Sequence, residues 1–179
     1  MAEPVADFKS RLSHVDYLVW ERELKRKPAS PTQRPDDPGP GVAVICSSAQ
    51  AAVDYAGRMF SDRRIEVKPA YADPLLHAPS LGLRLRPLAW RRLAQLGFFS
   101  GWLKSEEPAE AVKQRMVGIC TRLIGLAKEH EEAHFVGEPL MIRLMTFKLS
   151  SIGYRGPLLH RIRYGYSYDF EYPSAAKKP

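Results

Sequence analysis

Gly41-Val42-Ala43-Val44-Ile45-Cys46 is an unbroken apolar run, rich in β-branched residues and followed by Ser47 and Ser48. With no polar side chain to turn toward water, such a run reads as a parallel strand covered on both faces. Ala49 to Phe60 then sets Ala52, Val53, Ala56 and Met59 or Phe60 on one side of a helix, for which Ser47 and Ser48 are the expected N-caps. Arg64 to Lys68 alternates and stops at Pro69, as the second strand of a βαβ unit does. The pattern returns late in the chain, where Ala133 to Gly137 reads as a brief strand and Pro139 suits the first turn of a helix ending near Ile152. Strands that lead directly into helices place helix N-termini and strand carboxyl ends on one sheet edge, where open α/β folds bind ligands. An α/β protein is expected, with its site at Cys46-Ser47-Ser48-Ala49 and Val136-Gly137-Glu138-Pro139.

The other segments are less regular. Phe8, Leu12, Val15 and Val19 predict an amphipathic helix over residues 7 to 26, and five prolines between Lys27 and Pro40 predict a surface loop. Residues 1–40 would form this helix and loop, residues 41–172 the α/β domain of a single-domain chain, and residues 173–179 a flexible tail. Between Tyr71 and Pro87 an ordered excursion is expected to lay Leu75, Leu76, Leu81, Leu83 and Leu85 on the domain. Trp90 to Trp102 suggests a short helix, with Arg84, Arg86, Arg91 and Arg92 crowding its start. Ser105 would cap a long helix whose core stripe is Val112, Met116, Ile119, Leu123 and Leu126. Arg163 to Tyr172 alternates as a final strand, with Tyr164, Tyr166, Tyr168 and Tyr172 in a row of period two.

Composition narrows the class. A chain of 179 residues with 45% hydrophobic and 26% charged content is an ordinary globular protein. No apolar run approaches the roughly 18 residues of a membrane span, and the Met1 to Asp7 start lacks a signal-peptide plan, so a cytoplasmic location is expected. Cys46 and Cys120 cannot form a CxxC pair and read as reduced, buried thiols. His14, His77, His130, His134 and His160 lack metal-ligand spacing beyond the step from His130 to His134, which is read as a helix end favouring protonated histidine. No metal and no cofactor is expected. The net charge of +7 implies a field attracting anions: a phosphorylated ligand, nucleic acid or an acidic partner.

In order and spacing these segments resemble the histidine phosphatase superfamily, which includes phosphoglycerate mutase, from about Asp16 to Tyr172. Cys46-Ser47-Ser48-Ala49-Gln50-Ala51-Ala52-Val53-Asp54-Tyr55-Ala56 is similar to the family's strand leading into Ser-Ser-Pro-x-x-Arg-Ala-x-x-Thr-Ala. Val136-Gly137-Glu138-Pro139-Leu140-Met141-Ile142-Arg143-Leu144 resembles Val-Gly-His-Gly followed by a helix with Ile-Arg or Asn-Arg. Gly153-Tyr154-Arg155-Gly156-Pro157 is similar to Gly-Trp-Arg-Gly-Pro of a bacterial subgroup. The resemblance implies a phosphoglycerate mutase-like fold, a three-layer α/β sandwich with a mostly parallel central sheet. It also implies a phosphohistidine chemistry that needs an Arg-His-Gly nucleophile, a second histidine, arginines for the phosphate oxygens and a carboxylic acid.

Most of that equipment is missing. No Arg-His-Gly occurs; Asp16-Tyr17-Leu18-Val19-Trp20 resembles a subgroup segment that follows that motif, and setting Leu18 to Glu23 against it also loses the nucleophile. The family's arginine falls on Ala51 and its second histidine on Glu138, while Asp73 is the one candidate for the acid. A carboxylate about 4 Å from a phosphate charge costs on the order of 4 kcal/mol at an effective dielectric near 20. Glu138 is therefore expected to repel the family's substrate, while the helix dipole stabilises its carboxylate by a few tenths to about 1 kcal/mol.

The leading expectation is a catalytically degenerate member that acts as a binding, regulatory or structural subunit. It would offer Ser47, Ser48, Arg84, Arg86, Arg91, Arg92 and Arg143 to an anionic ligand or a protein partner, or form a homo-oligomer. If the first catalytic strand is absent, an open sheet edge would invite pairing with another chain. Two alternatives stand beside it: an active phosphatase with an altered or truncated site, and a basic nucleic-acid-binding protein using the tyrosine row for stacking.

Overall fold

The computed structural model describes residues 9–26, 41–157, 162 and 166–173. The chain divides into two compact units, one drawn from Met1–Lys27 and Pro74–Val112, the other from Pro28–Asp73 and Lys113–Pro179. It is an α/β protein, with five α-helices and a three-stranded parallel sheet among the described residues. Among the described residues no helix is long and apolar enough to cross a membrane. The expected proline-rich loop and most of the expected tail lie outside the described residues, as do the first residues of the expected leading helix.

The sheet belongs to the second unit. Its strands are β1 (Ala43–Ser47), β2 (Ile65–Lys68) and β3 (Ala133–Val136), in the order β2-β1-β3. β1 is central, and Val44, Ile45, Cys46 and Ser47 are all buried, as an unbroken apolar run requires. Helix α2 (Gln50–Met59) follows at once and packs Ala52, Ala56 and Phe60 on Val44 and Cys46, with Ile65 and Val136 completing the cluster. The expected serine cap is corrected: Ala49 is the N-cap and makes no side-chain bond, whereas the fully buried Ser47 Oγ accepts the Ala49 N–H at 3.2 Å and holds the turn. Burial pushes the thiols of Cys46 and Cys120 up to about 11, so both are protonated near neutrality.

The long helix α4 (Ala109–His130) begins behind Pro108 and not at Ser105, whose Oγ instead donates to the Leu75 carbonyl at 3.1 Å. Its Val112, Met116, Ile119 and Leu126 are buried as expected. α5 (Pro139–Ser151) buries Leu140, Met141, Met145 and Leu149. The expected final strand over 163–172 does not form in the part that is described, residues 166–173. Its one ladder contact there is an isolated bridge from Glu171 to Arg155, because alternating tyrosines specify a strand only where a neighbouring edge pairs with it.

In the first unit, α1 (His14–Arg26) and α3 (Pro87–Phe99) share a core of Tyr17, Ala78, Trp90 and Ala94. Tyr17 and Trp90 stack with centroids 6.0 Å apart, and the Trp90 indole N–H donates to the Leu12 carbonyl at 2.9 Å. α1 buries an aromatic face, not the expected aliphatic one: Val15 and Val19 are exposed, since Tyr17 and Trp20 offer larger bodies to the same core. Within the 71–87 excursion Leu76, Leu81 and Leu85 pack on this core, while Leu75 and Leu83 face solvent.

Glu66 ties the β2 end to α4. Its carboxylate accepts from Lys68 Nζ at 2.7 Å, from the Tyr71 hydroxyl, and from Arg122 Nη2 at 3.0 Å. These donors, Lys68 first, hold its carboxyl at about 2, well below the ordinary 4.5. A group with a depressed folded-state value stabilises the fold above its unfolded value, and that contribution is lost as pH falls through the folded one. Urea melts should therefore show Glu66→Gln less stable than the wild type by about 1 kcal/mol near pH 7, the ordinary worth of a partly exposed charged hydrogen-bond group. The deficit should shrink below pH 4.5 and vanish near pH 2; a deficit independent of pH would contradict this assignment.

Candidate functional site

Helix N-termini present main-chain N–H groups with no partner inside the helix, and these are the usual anion receptors. At the start of α5 those of residues 139–142 are already accounted for. Pro139 occupies the first helical position and has no N–H. The Leu140 N–H donates to Asp73 Oδ2 at 3.1 Å and the Met141 N–H to Asp73 Oδ1 at 2.6 Å. The Ile142 N–H closes the first helical bond on the Glu138 carbonyl at 3.1 Å. The N-cap residue itself, Glu138, turns its carboxylate back: Oε2 accepts the Asp73 N–H at 2.7 Å. Two segments 65 residues apart thus clasp each other reciprocally, as a capping box does within a single helix.

The segment that carries Asp73 is held from behind. Arg115 Nη1 on α4 donates to the carbonyls of Ala70 at 2.6 Å and Ala72 at 2.7 Å. Buried Tyr71 meets Phe135 of β3 edge-on at 6.4 Å. Asp73 is therefore a fixed cap whose two oxygens are both committed to α5. The expected role as a general acid is not what its bonds serve.

Parallel pairing of β1 and β3 brings their carboxyl ends to one edge, so the two strand-to-helix turns named from the sequence are neighbours. A cavity of about 570 Å³ opens beside β3, and both Ala51 on α2 and Glu138 line it. The resemblance sets an arginine at the first position and a histidine at the second; this chain provides a methyl group and a carboxylate. Further carboxylates come from Glu131, Glu132, Asp169 and Glu171, and among the described lining residues there is no lysine or arginine. His134 Nε2 stands 3.0 Å from Glu132 Oε1, out of hydrogen-bonding alignment. It lies in β3 and faces Phe60 at 5.1 Å, which corrects its expected place at a helix end; His130 is the last residue of α4.

The remaining expected site residues do not converge here. Ser47 is buried and Ser48 exposed, and neither lines the cavity, nor does Arg143 on α5. Arg84, Arg86, Arg91 and Arg92 belong to the first unit; Arg84 Nη2 donates to the Arg11 carbonyl at 3.5 Å, and Arg86 precedes α3. Leu18 to Glu23, the alternative position for the nucleophile strand, is helical within α1. Among the described residues no group of three or more His, Cys, Asp and Glu is placed to hold a metal ion.

Sequence reasoning missed three features. The segment 166–171 lines the cavity, so Tyr166 and Tyr168 border that space instead of forming an exposed platform. The run Glu129-His130-Glu131-Glu132 signalled the acidic rim, and Glu131 adopts φ 65°, the left-handed conformation that ends a helix and usually falls to glycine. Asp73 as a cap left no local signal. Compared with family models, curated proteins and solved structures, the chain matches none.

Asp73→Ala strips the cap from α5 and leaves two amide donors without their acceptor, so it should lower stability by about 1–2 kcal/mol. Asp73→Asn, which keeps one acceptor oxygen and a capping geometry, should recover at least half of that loss in chemical denaturation. Equal stability of the alanine variant and the wild type would mean the clasp contributes nothing.

Proposed function

We propose that this chain is a catalytically degenerate histidine-phosphatase-like protein, built on a phosphoglycerate mutase-like three-layer sandwich, that works as a binding subunit for a protein partner. The observation that carries the reading is the Asp73 carboxylate seated on the Leu140 and Met141 amides, with Glu138 beside it. A phosphoryl group entering that position would have to displace the protein's own carboxylate from both amides. It would also stand close to a second carboxylate, at a cost on the order of 4 kcal/mol per phosphate charge at 4 Å. Nothing in the described lining of the cavity offsets that repulsion, since Ala51 holds the place of a cation. At the end of β1, the thiol of Cys46 is buried and held protonated, and Ser47 is enclosed.

What remains is a well-formed cavity rimmed by carboxylates, on a chain that is basic overall. Binding energy there is available to a partner that is not an anion, which favours recognition over phosphoryl transfer. The direct test is turnover of a generic aryl phosphate at mildly acidic and neutral pH, beside an Ala51→Arg, Glu138→His double variant. Neither protein should exceed the rate in buffer. Turnover by the wild-type chain that scales with enzyme concentration would overturn the non-catalytic reading.

A further inference from the structure

We infer that the outer edge of β3 is a strand-acceptor slot for a short, extended, basic segment of a partner protein. This rests on the preceding reading of the chain as a binding subunit and names the chemistry of what is bound.

The main chain makes the first case. Among the described residues β3 pairs with β1 and with no other strand, which leaves its other side an edge. The Ala43 N–H donates to the Glu132 carbonyl at 3.3 Å, which sets the phase of the ladder. In a parallel pair alternate residues address the same neighbour, so His134 turns its main-chain groups to β1 while Ala133 and Phe135 turn theirs outward. Among the described residues no hydrogen bond reaches those outward groups. They open onto the cavity, which all four residues of β3 line. Half-buried peptide groups of this kind are satisfied by another strand or by water.

The shape makes the second. The 166–171 segment also lines the cavity and is bridged to Arg155. The Arg155 N–H donates to the Glu171 carbonyl at 2.7 Å and the Glu171 N–H to the Arg155 carbonyl at 2.8 Å. Tyr172 packs edge-on against Tyr154 at 5.1 Å. At Gly156 a side chain would collide with the Phe170 ring and come within 2.7 Å of the Asp169 carbonyl, so glycine is required for the segment to lie this close. The resulting space, about 570 Å³, is within the range of ordinary ligand clefts. At about 3.3 Å per extended residue, the edge presented by β3 suits a segment of about four to six residues.

Charge selects the occupant. Glu131, Glu132, Glu138, Asp169 and Glu171 surround the slot, while Ile142 and Leu149 of α5 and Leu123 of α4 supply apolar wall. An added strand whose side chains alternate between cationic and aliphatic would meet both, with main-chain bonds providing affinity and the carboxylates providing selection. An acidic or phosphorylated segment would be repelled.

The probe is the blocked peptide acetyl-Lys-Val-Lys-Val-Lys-Val-amide, titrated into the full chain by calorimetry. Its controls are the same peptide methylated at alternate main-chain nitrogens and a Glu-Val counterpart. We expect saturable binding of the lysine peptide, at least about tenfold weaker binding of the methylated form, and no binding of the acidic one. A folded Glu131→Gln, Asp169→Asn double variant should lose about tenfold for the lysine peptide, and the Phe135 amide should exchange at least tenfold more slowly when the peptide is bound. Equal affinity for methylated and unmethylated peptides would reduce the interaction to charge and overturn the slot. So would a Phe135 amide already protected in the free monomer, which would mean that the chain fills its own edge, or one protected only in a dimer, which would make a second copy the occupant. Failure of the peptide to bind sinks the slot and leaves the non-catalytic reading standing; aryl phosphate turnover does the reverse.

Discussion

The two amides at the head of α5 determine what this part of the molecule can bind. A helix start with free N–H groups beside the carboxyl end of a parallel strand attracts anions by geometry and by dipole together. Here the strand, the turn and the helix are all present, but Asp73 has taken the donors and Glu138 has taken the amide of Asp73 in return. The reciprocity matters because neither carboxylate can leave without stranding a main-chain donor. Arg115, bound to the carbonyls of Ala70 and Ala72, keeps the Asp73 segment from drawing away. Much of the second unit is built around this clasp: β2 and the turn after it bring Asp73 to α5, and β3 delivers Glu138.

That arrangement inverts the local electrostatics of a basic chain. Overall the sequence carries +7, yet the described lining of its cavity contains carboxylates and one histidine, with no lysine or arginine. Net charge governs long-range encounter, whereas the pocket lining governs what fits once contact is made. The arginines from Arg84 to Arg92 contribute to the former and belong to a different compact unit from the cavity.

Much of the architecture was legible because it depends on local pattern. The apolar run at Gly41 to Cys46 had to be a covered strand, and the two abrupt strand-to-helix turns fall within a residue or two of their expected places. The failures share a cause: each involved a partner remote in sequence. Tyr17 beats Val15 and Val19 for the core only because Trp90 waits across the unit to stack on it. The tyrosine row reads as a strand, but residues 166–171 find no ladder beyond the single bridge to Arg155. Asp73 was read as the candidate acid, and its capping role was hidden because its two acceptor bonds reach 67 and 68 residues ahead. Glu138 was singled out because the resemblance sets a histidine at its position, and its acceptor role toward Asp73 lay beyond the sequence.

The central claim is that the α5 amides are occupied and closed to phosphate. It is tested most directly by following the amide resonances of Leu140 and Met141 as inorganic phosphate is titrated into the isotopically labelled chain at neutral pH. The account predicts no saturable shift at either amide in the wild-type protein. A saturable phosphate-dependent shift at both, with Asp73 intact, would contradict it.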